Sequence, residues 1–442
     1  MPSPHRAIMM ATRRLRLNKR NARTHPKKQI RQITEVIARF GWTYPIVADE
    51  NLEIICGHAR WQAANELQIN EVPVIVLTGL RDAEKRALAL ADNKIAANAG
   101  WDRSILASEL GELAALLPEI ELDLSITGFE AAEIDALAID LSDPEQEASD
   151  EILPIDTGAP ITQAGDLWKL GVHRLLCGDA CDKAHLRKLM GDDKSSMLFA
   201  DPPYNVRIAA TVGRGKIKHR EFASASGEMS SAQFIEFLKR WMLLATFYSE
   251  QGSIHYVCMD WRHLSEILAA GNSVYHELKN IVVWVKTNAG QGSFYRSQHE
   301  HVLVFKNGNA PHQNNVELGR HGRNRSNVWT YAGVNTFKAG RLDELSVHPT
   351  VKPVALVADA IRDCSRRNGI VLDPFMGSGT TILAAERIGR RAYGLEIDPL
   401  YVDVSLRRWQ AFAGRDAILE ATGQTFDEIA EHGRTRTGRR RR

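Results

Sequence analysis

Residues 195–204 read SSMLFADPPY, an apolar run that stops at Asp201 and continues as Pro202, Pro203 and Tyr204. Proline fixes φ and has no N–H to donate, and the residue before a proline is held extended. Asp201 and the Pro202 carbonyl are therefore set side by side as rigid acceptors, with the Tyr204 ring next to them. Such an array suits a planar group bearing an NH2: the acceptors take its hydrogens and the ring stacks on its plane. Positive charge develops on that nitrogen if a methyl group arrives there, and acceptors fixed in advance stabilise it. The plainer alternative is a proline-rich turn with Tyr204 packed on the core.

A second cluster follows at residues 369–381, GIVLDPFMGSGTT, which runs into the helical pattern ILAAERIG. A strand delivers Asp373, a turn holds Gly377 and Gly379, and a helix begins, so backbone N–H groups face a ligand at a sheet edge. There is no Gly-x-Gly-x-x-Gly and no Gly-Lys-Thr, which excludes a phosphate-gripping P-loop. Further on, GLEID ends a strand on Glu396. A carboxylate there can accept from both hydroxyls of a ribose, which points to a nucleoside-containing cofactor. A tight turn with a solvated Glu396 is the alternative.

The elements that must position these groups separate by composition. Residues 164–428 alternate short apolar strands with helical stretches, the signature of an α/β layer fold. HRLLCGD, SSMLFADP, GSIHYVCMD, LKNIVVWVK, HEHVLVFK, GIVLDPF and RAYGLEID are the expected strands. A polar insert rich in Arg, Asn and Gly, at about 306–345, breaks the alternation, and such spans inside a domain are more often functional than structural. Before the α/β region lies an acidic linker at 141–163. Residues 1–140 form a small mixed α+β unit, and 429–442 a basic tail.

Of the 442 residues, 44% are hydrophobic and 25% charged, with a net charge of +2, so wholesale disorder is excluded and several domains are expected. Five scattered cysteines make no disulfide framework, and no stretch reaches the roughly 20 apolar residues of a membrane helix. A reducing, cytoplasmic setting is expected, with no membrane contact. His299 and His301 would share one strand face while Glu300 points away, and spacing offers no third ligand, so no metal is expected.

The three motifs, in this order, resemble the permuted (beta-group) DNA amino-methyltransferases of the Asp-Pro-Pro-Tyr type. The resemblance implies a Rossmann-like mixed sheet and S-adenosylmethionine as cofactor. It implies that Asp201, Pro202, Pro203 and Tyr204 hold the target base, and that Asp373, Phe375, Gly377, Ser378, Gly379, Thr380 and Glu396 line the cofactor. Cys177-Gly178-Asp179 is similar to the family's Gly-Asp segment, which makes Asp179 a further cofactor contact. His348-Pro349-Thr350-Val351-Lys352-Pro353 is similar to its His-Pro-Thr-x-Lys-Pro box, and places Lys352 near the cofactor's methionine end. The insert falls at the family's target-recognition region, so Arg320, Arg323 and Arg325, with Asn324, Asn327 and Trp329, suit phosphate and base-edge contacts. The resemblance also implies a loop just after the Asp-Pro-Pro-Tyr motif that closes over the base and cofactor, with Lys216, Lys218, His219 and Arg220 as expected phosphate contacts and a mobile surface as the alternative. Double-stranded DNA is the expected partner, entered by base flipping with restacking on Tyr204 and Phe222. Adenine N6 is expected ahead of cytosine N4 because aspartate opens the motif. The chain has no Pro-Cys dipeptide for carbon-5 methylation. A catalytically silent DNA-binding relative is the competing reading, and a cognate restriction enzyme is left open.

The N-terminal unit resembles the ParB/sulfiredoxin-like domain through IICGHARWQAANELQINEVPVIVL. Gly57 and Arg60 fit its Gly-x-x-Arg phosphate pattern, while His58 and Ala59 depart from the residues of the nucleotide-hydrolysing members. Cys56 keeps a redox reading open. The resemblance leaves a bound nucleotide and a homodimer open as well.

Overall fold

The strand Ser195–Ala200 shows why the central sheet was legible. Met197 and Phe199 enter one core cluster, Leu198 and Ala200 the other, and all four are buried. A strand covered on both faces reads as a continuous apolar run instead of an alternating one. The computed structural model describes residues 5–120, 122–130, 133–135, 137, 159–206, 227–286, 289, 294–319, 325–331 and 351–431. They fall into two units, residues 1–141 and 142–442.

The first unit holds β1 (Ile8–Ala11), α1 (Lys27–Phe40), β2 (Ile46–Asp49), β3 (Ile54–Cys56), α2 (His58–Glu66), β4 (Glu71–Leu77), α3 (Asp82–Ala97) and α4 (Arg103–Leu116). Its four strands run in the order β1-β4-β2-β3, with β2 and β4 parallel. Ile46, Ala48, Ile54, Val72 and Val74 are wholly buried at its centre. A separate apolar cluster gathers Leu110, Leu117, Leu124, Ile134 and Leu137 around α4 and the residues after it.

The second unit holds β5 (Leu167–Leu170), β6 (His173–Cys177), α5 (Lys183–Met190), β7 (Ser195–Ala200), α6 (Ser231–Phe247), β8 (Ser249–Met259), α7 (Leu264–Val274), β9 (Glu277–Val285), β10 (His299–Lys306), β11 (Val328–Thr330), α8 (Val354–Cys364), β12 (Ile370–Asp373), α9 (Thr380–Arg387), β13 (Arg391–Glu396), α10 (Pro399–Ala413) and β14 (Ile418–Leu419). All seven strands expected from the sequence are present. The ten-stranded sheet runs β11-β9-β10-β8-β7-β12-β13-β6-β5-β14. The neighbours from β8 through β7, β12 and β13 to β6 are parallel. Helices α8, α9 and α10 bury their apolar residues on one face, α5, α6 and α7 on the other.

Chain direction across this sheet reverses between β7, which is followed outward by β8, and β12, which is followed by β13 the other way. Ligands in open α/β sheets bind at the carboxyl ends of the strands flanking such a switch. Asp201 leaves β7 and Asp373 ends β12 at that point. Because β10 is antiparallel to both β8 and β9, its first residues reach the same edge, with His301 opposite Met259 and Glu300 opposite Trp284.

Candidate active site

Asp201 is tied on both oxygens. Tyr204 donates its hydroxyl to Oδ1 at 2.6 Å, and the Lys352 ammonium donates to Oδ2 at 2.5 Å. Lys352 is 5% exposed and lies 3.1 Å from Glu300 Oε2, with its Nζ 5.6 Å from the centre of the Tyr204 ring and 5.8 Å from that of Trp284. Glu300 in turn accepts from Lys286 Nζ at 2.5 Å and from the Tyr204 hydroxyl at 3.3 Å. Two carboxylates and two ammonium groups thus form one connected cluster. Burial would raise the pKa of Glu300, but Lys352 and Lys286 beside it draw it down to about 2. Burial raises that of Asp201, against the pull of Lys352. Burial also works against the charged Lys352, yet Asp201 and Glu300 hold its pKa above the ordinary value.

The glycine turn stands next to this cluster. Asp373 is buried, accepting from the Phe375 N–H at 2.9 Å and from the Thr381 hydroxyl at 2.6 Å, and its pKa is pushed up to about 7 chiefly by burial. Glu396 accepts from the Gly377 N–H at 2.8 Å and the Asp398 N–H at 2.9 Å, one on each oxygen, and burial raises it to about 7 as well. Gly379 caps α9 with φ 88, in a region that L side chains rarely adopt. On the next strand, the Gly178 N–H donates to the Glu396 carbonyl at 2.9 Å, which brings Asp179 beside Glu396.

Lys352, expected near the methionine end of a cofactor, pairs its ammonium with Asp201 and Glu300. The Ser378 hydroxyl, expected to line the cofactor, is buried and accepts from Arg408 at 3.1 Å. Phe375 sets its ring edge-on to Trp241, 5.2 Å away. Arg325, expected to meet DNA, is committed inside the protein: it donates to Asp363 at 3.1 Å, to Asp359 at 3.2 Å and to Tyr331 at 2.7 Å, and lies over the Trp329 ring. Two carboxylates so close leave a guanidinium little to offer a phosphate. Trp329 is buried in β11, which extends the sheet within the insert. Lys216, Lys218, His219, Arg220, Phe222, Arg320, Arg323, Asn324 and the His348–Thr350 part of the box lie outside the described residues.

Glu300 and Lys286 were not singled out as site residues. The available signal was an acid in HEHVLVFK at the same alternation as Val302 and Val304, all three buried. In the first unit Gly57 caps α2 with φ 101, and Arg60 donates to the Pro45 carbonyl at 3.4 Å. Burial, with help from Asp92, pushes the Cys56 thiol up to about 12, which favours its neutral form.

Most of the ten-stranded sheet and its ligand edge lie within a DNA methylase domain. Residues 196–407 match the DNA methylase family of N6/N4 type, residues 5–94 the ParB N-terminal domain, and residues 104–164 the ParB-methyltransferase HTH domain. The chain carries an N6/N4-type DNA methylase domain joined to a ParB N-terminal domain. It is similar to the type II methyltransferase M.HpaI of Haemophilus parainfluenzae, 25% identical over 275 residues that cover 58% of this chain and 81% of the relative. Its ParB-like part is similar to the ParB-like nuclease domain-containing protein YnaK of Escherichia coli K12, 53% identical over 66 residues, 15% of this chain and 76% of that one. Among solved structures, M1.HpyAVI in complex with SAM aligns at a TM-score of 0.39 with 21% identity, covering 53% of this chain and 97% of that one. The HTH match is a domain that the sequence reading divided between the N-terminal unit and the linker.

S-adenosylmethionine is the methyl donor of this family, and the residues present fit it. Glu396 keeps lone pairs on both oxygens beyond those that accept from the Gly377 and Asp398 N–H groups, free for ribose hydroxyls, and Gly379 starts α9 in the left-handed region.

Proposed function

We propose that the protein methylates the exocyclic amine of a base flipped out of double-stranded DNA, adenine N6 ahead of cytosine N4, at a specific recognition sequence. The observation that carries this is the Asp201–Tyr204–Lys352 cluster at the sheet's switch point, adjoining the Asp373 and Glu396 carboxylates. When bound, S-adenosylmethionine supplies an electrophilic methyl on a sulfonium whose sulfur keeps the electron pair of the bond that breaks. Glu396 and Asp179 hold the nucleoside end, and the Gly377–Gly379 turn lets the backbone approach it. Asp201 and the Pro202 carbonyl accept the two amine hydrogens, which aims the nitrogen lone pair at the methyl. Tyr204 supplies stacking for a base that has left the duplex at a cost of a few kcal/mol. As the nitrogen–carbon bond forms, Asp201 is placed to take the proton the nitrogen sheds. The aspartate that opens the motif supports adenine, by resemblance to adenine-specific relatives.

Mass spectrometry of nucleosides from DNA of expressing cells tests this directly. N6-methyladenine is expected, and Asp201→Ala should abolish it while leaving cofactor binding within about threefold, because Asp201 lies outside the glycine turn. N4-methylcytosine would reassign the base. Appreciable turnover in Asp201→Ala would remove the mechanism.

A further inference from the structure

Glu300 and Lys286 take no part in the steps above, yet they complete the charge balance of the buried cluster. With Asp201 and Lys352 they make two negative and two positive groups. If Asp201 were the sole counter-ion of Lys352, the ammonium would suppress its basicity, just where a proton must be received. Glu300 divides that attraction: its Oε2 is 3.1 Å from Lys352 Nζ and 3.3 Å from the Tyr204 hydroxyl, while Oε1 is 2.5 Å from Lys286 Nζ. A buried carboxylate with such partners is weak evidence for stability, since apolar residues of similar volume often pack as well or better. Its position against the Asp201 partners gives it another use.

We propose that Glu300 is a positioning residue for methyl transfer: from β10 it holds Lys352 and the Tyr204 hydroxyl so that Asp201 stays basic enough to accept the amine proton, with Lys286 balancing its charge. The inference rests on the proposed role of Asp201. The step balances without a further reactant. The nitrogen lone pair forms the bond to the methyl carbon, the pair of the old bond stays on sulfur, and one nitrogen proton passes to Asp201 and then to water. Besides Lys352 and Glu300, Asp201 is faced by Tyr204, by the Cys258 thiol from β8 and by Asp373 from β12. The thiol is held neutral by burial, so Asp373 is the further group near Asp201 whose ionisation enters the profile, while that of Glu396 enters through cofactor affinity and is removed by saturating S-adenosylmethionine.

The test uses the full-length protein, duplex DNA and S-adenosylmethionine in single-turnover assays from pH 5.5 to 9. Cofactor affinity, DNA affinity and thermal unfolding are measured alongside. Glu300→Gln keeps the shape and removes the charge, leaving Lys352 to Asp201 alone. Its methyl-transfer rate is expected to fall about 10²-fold, the low end of what a placed acid or base contributes, with the acid limb of the profile moved to lower pH and both affinities little changed. Lys286→Met is expected to move the limb the opposite way, since Glu300 then leans harder on Lys352, and this variant carries the test if Glu300→Gln fails to fold. A Glu300→Gln enzyme with wild-type rate and profile overturns the inference. So does a slowed enzyme whose limb stays in place while its unfolding temperature and DNA affinity drop. Wild-type protein that binds both ligands and modifies no amine removes the proposed function and this inference together; an active wild type beside an unaffected Glu300→Gln removes the inference alone.

Discussion

At the scale of single residues, the site is governed by where buried charge is allowed to remain. Glu396 holds its proton up to about pH 7 in the ligand-free protein, because burial opposes ionisation. Ribose hydroxyls are better donors to the ionised form, so cofactor affinity should rise between pH 6 and 8 by up to about tenfold per unit and then level off. Calorimetric titration across that range checks this, and Glu396→Gln should give a weak, flat profile. Glu396 and Asp373 both bind protons more tightly folded than unfolded. The stability they contribute is therefore full at acid pH and is lost as pH rises from about 4 through 7.

At the scale of elements, the glycine turn is held in place by the helix behind it. Ser405 on α10 donates to the Gly377 carbonyl at 2.9 Å, and Arg408 to the Ser378 carbonyl at 2.7 Å. A Cβ on Gly379 would come within 3.0 Å of the Ser405 Cβ and 3.2 Å of its Cα, in a backbone region hostile to side chains. Gly379→Ala is expected to destabilise by about 1–3 kcal/mol in denaturant unfolding, more than Gly423→Ala, whose φ of 73 lies in open space. The strands were legible because burial on two faces leaves an unbroken apolar run, and the Asp-Pro-Pro-Tyr and glycine motifs because proline and glycine restrict backbone geometry locally. What escaped the sequence was what the register alone decides. Glu300 meets Lys352 only because β10 runs antiparallel to β8, and Arg325 reads as a surface cation until Asp359 and Asp363 of α8 are brought up to it. The two-residue β14 and the short β5 have too little periodicity to announce themselves.

At the scale of the whole molecule, the two units have separate cores, Ile46, Ile54 and Val74 in one, Trp168, Trp241 and Trp409 in the other. Scanning calorimetry should resolve two transitions. Saturating S-adenosylmethionine should raise only the one belonging to residues 142–442, by about 2.7 kcal/mol at a hundredfold excess over Kd. A single transition displaced as a whole would show that the units melt as one. Described helices include none long and apolar enough to cross a membrane.

The strand order also sets a schedule for the newborn chain. Strands β12 and β13, near the end of the sequence, occupy the centre of the sheet, where Val371 pairs with Met197 and Glu396 with Cys177. Until they leave the ribosome, β7 and β6 each present an unpaired apolar edge, the kind of surface on which chains stick to one another. Chains ending before Ile370 should therefore be recovered in inclusion bodies, while the full chain is soluble. Prompt synthesis of the stretch that carries β12 and β13, residues 370–396, which takes about 1–5 s at ordinary rates, becomes a condition for a soluble enzyme.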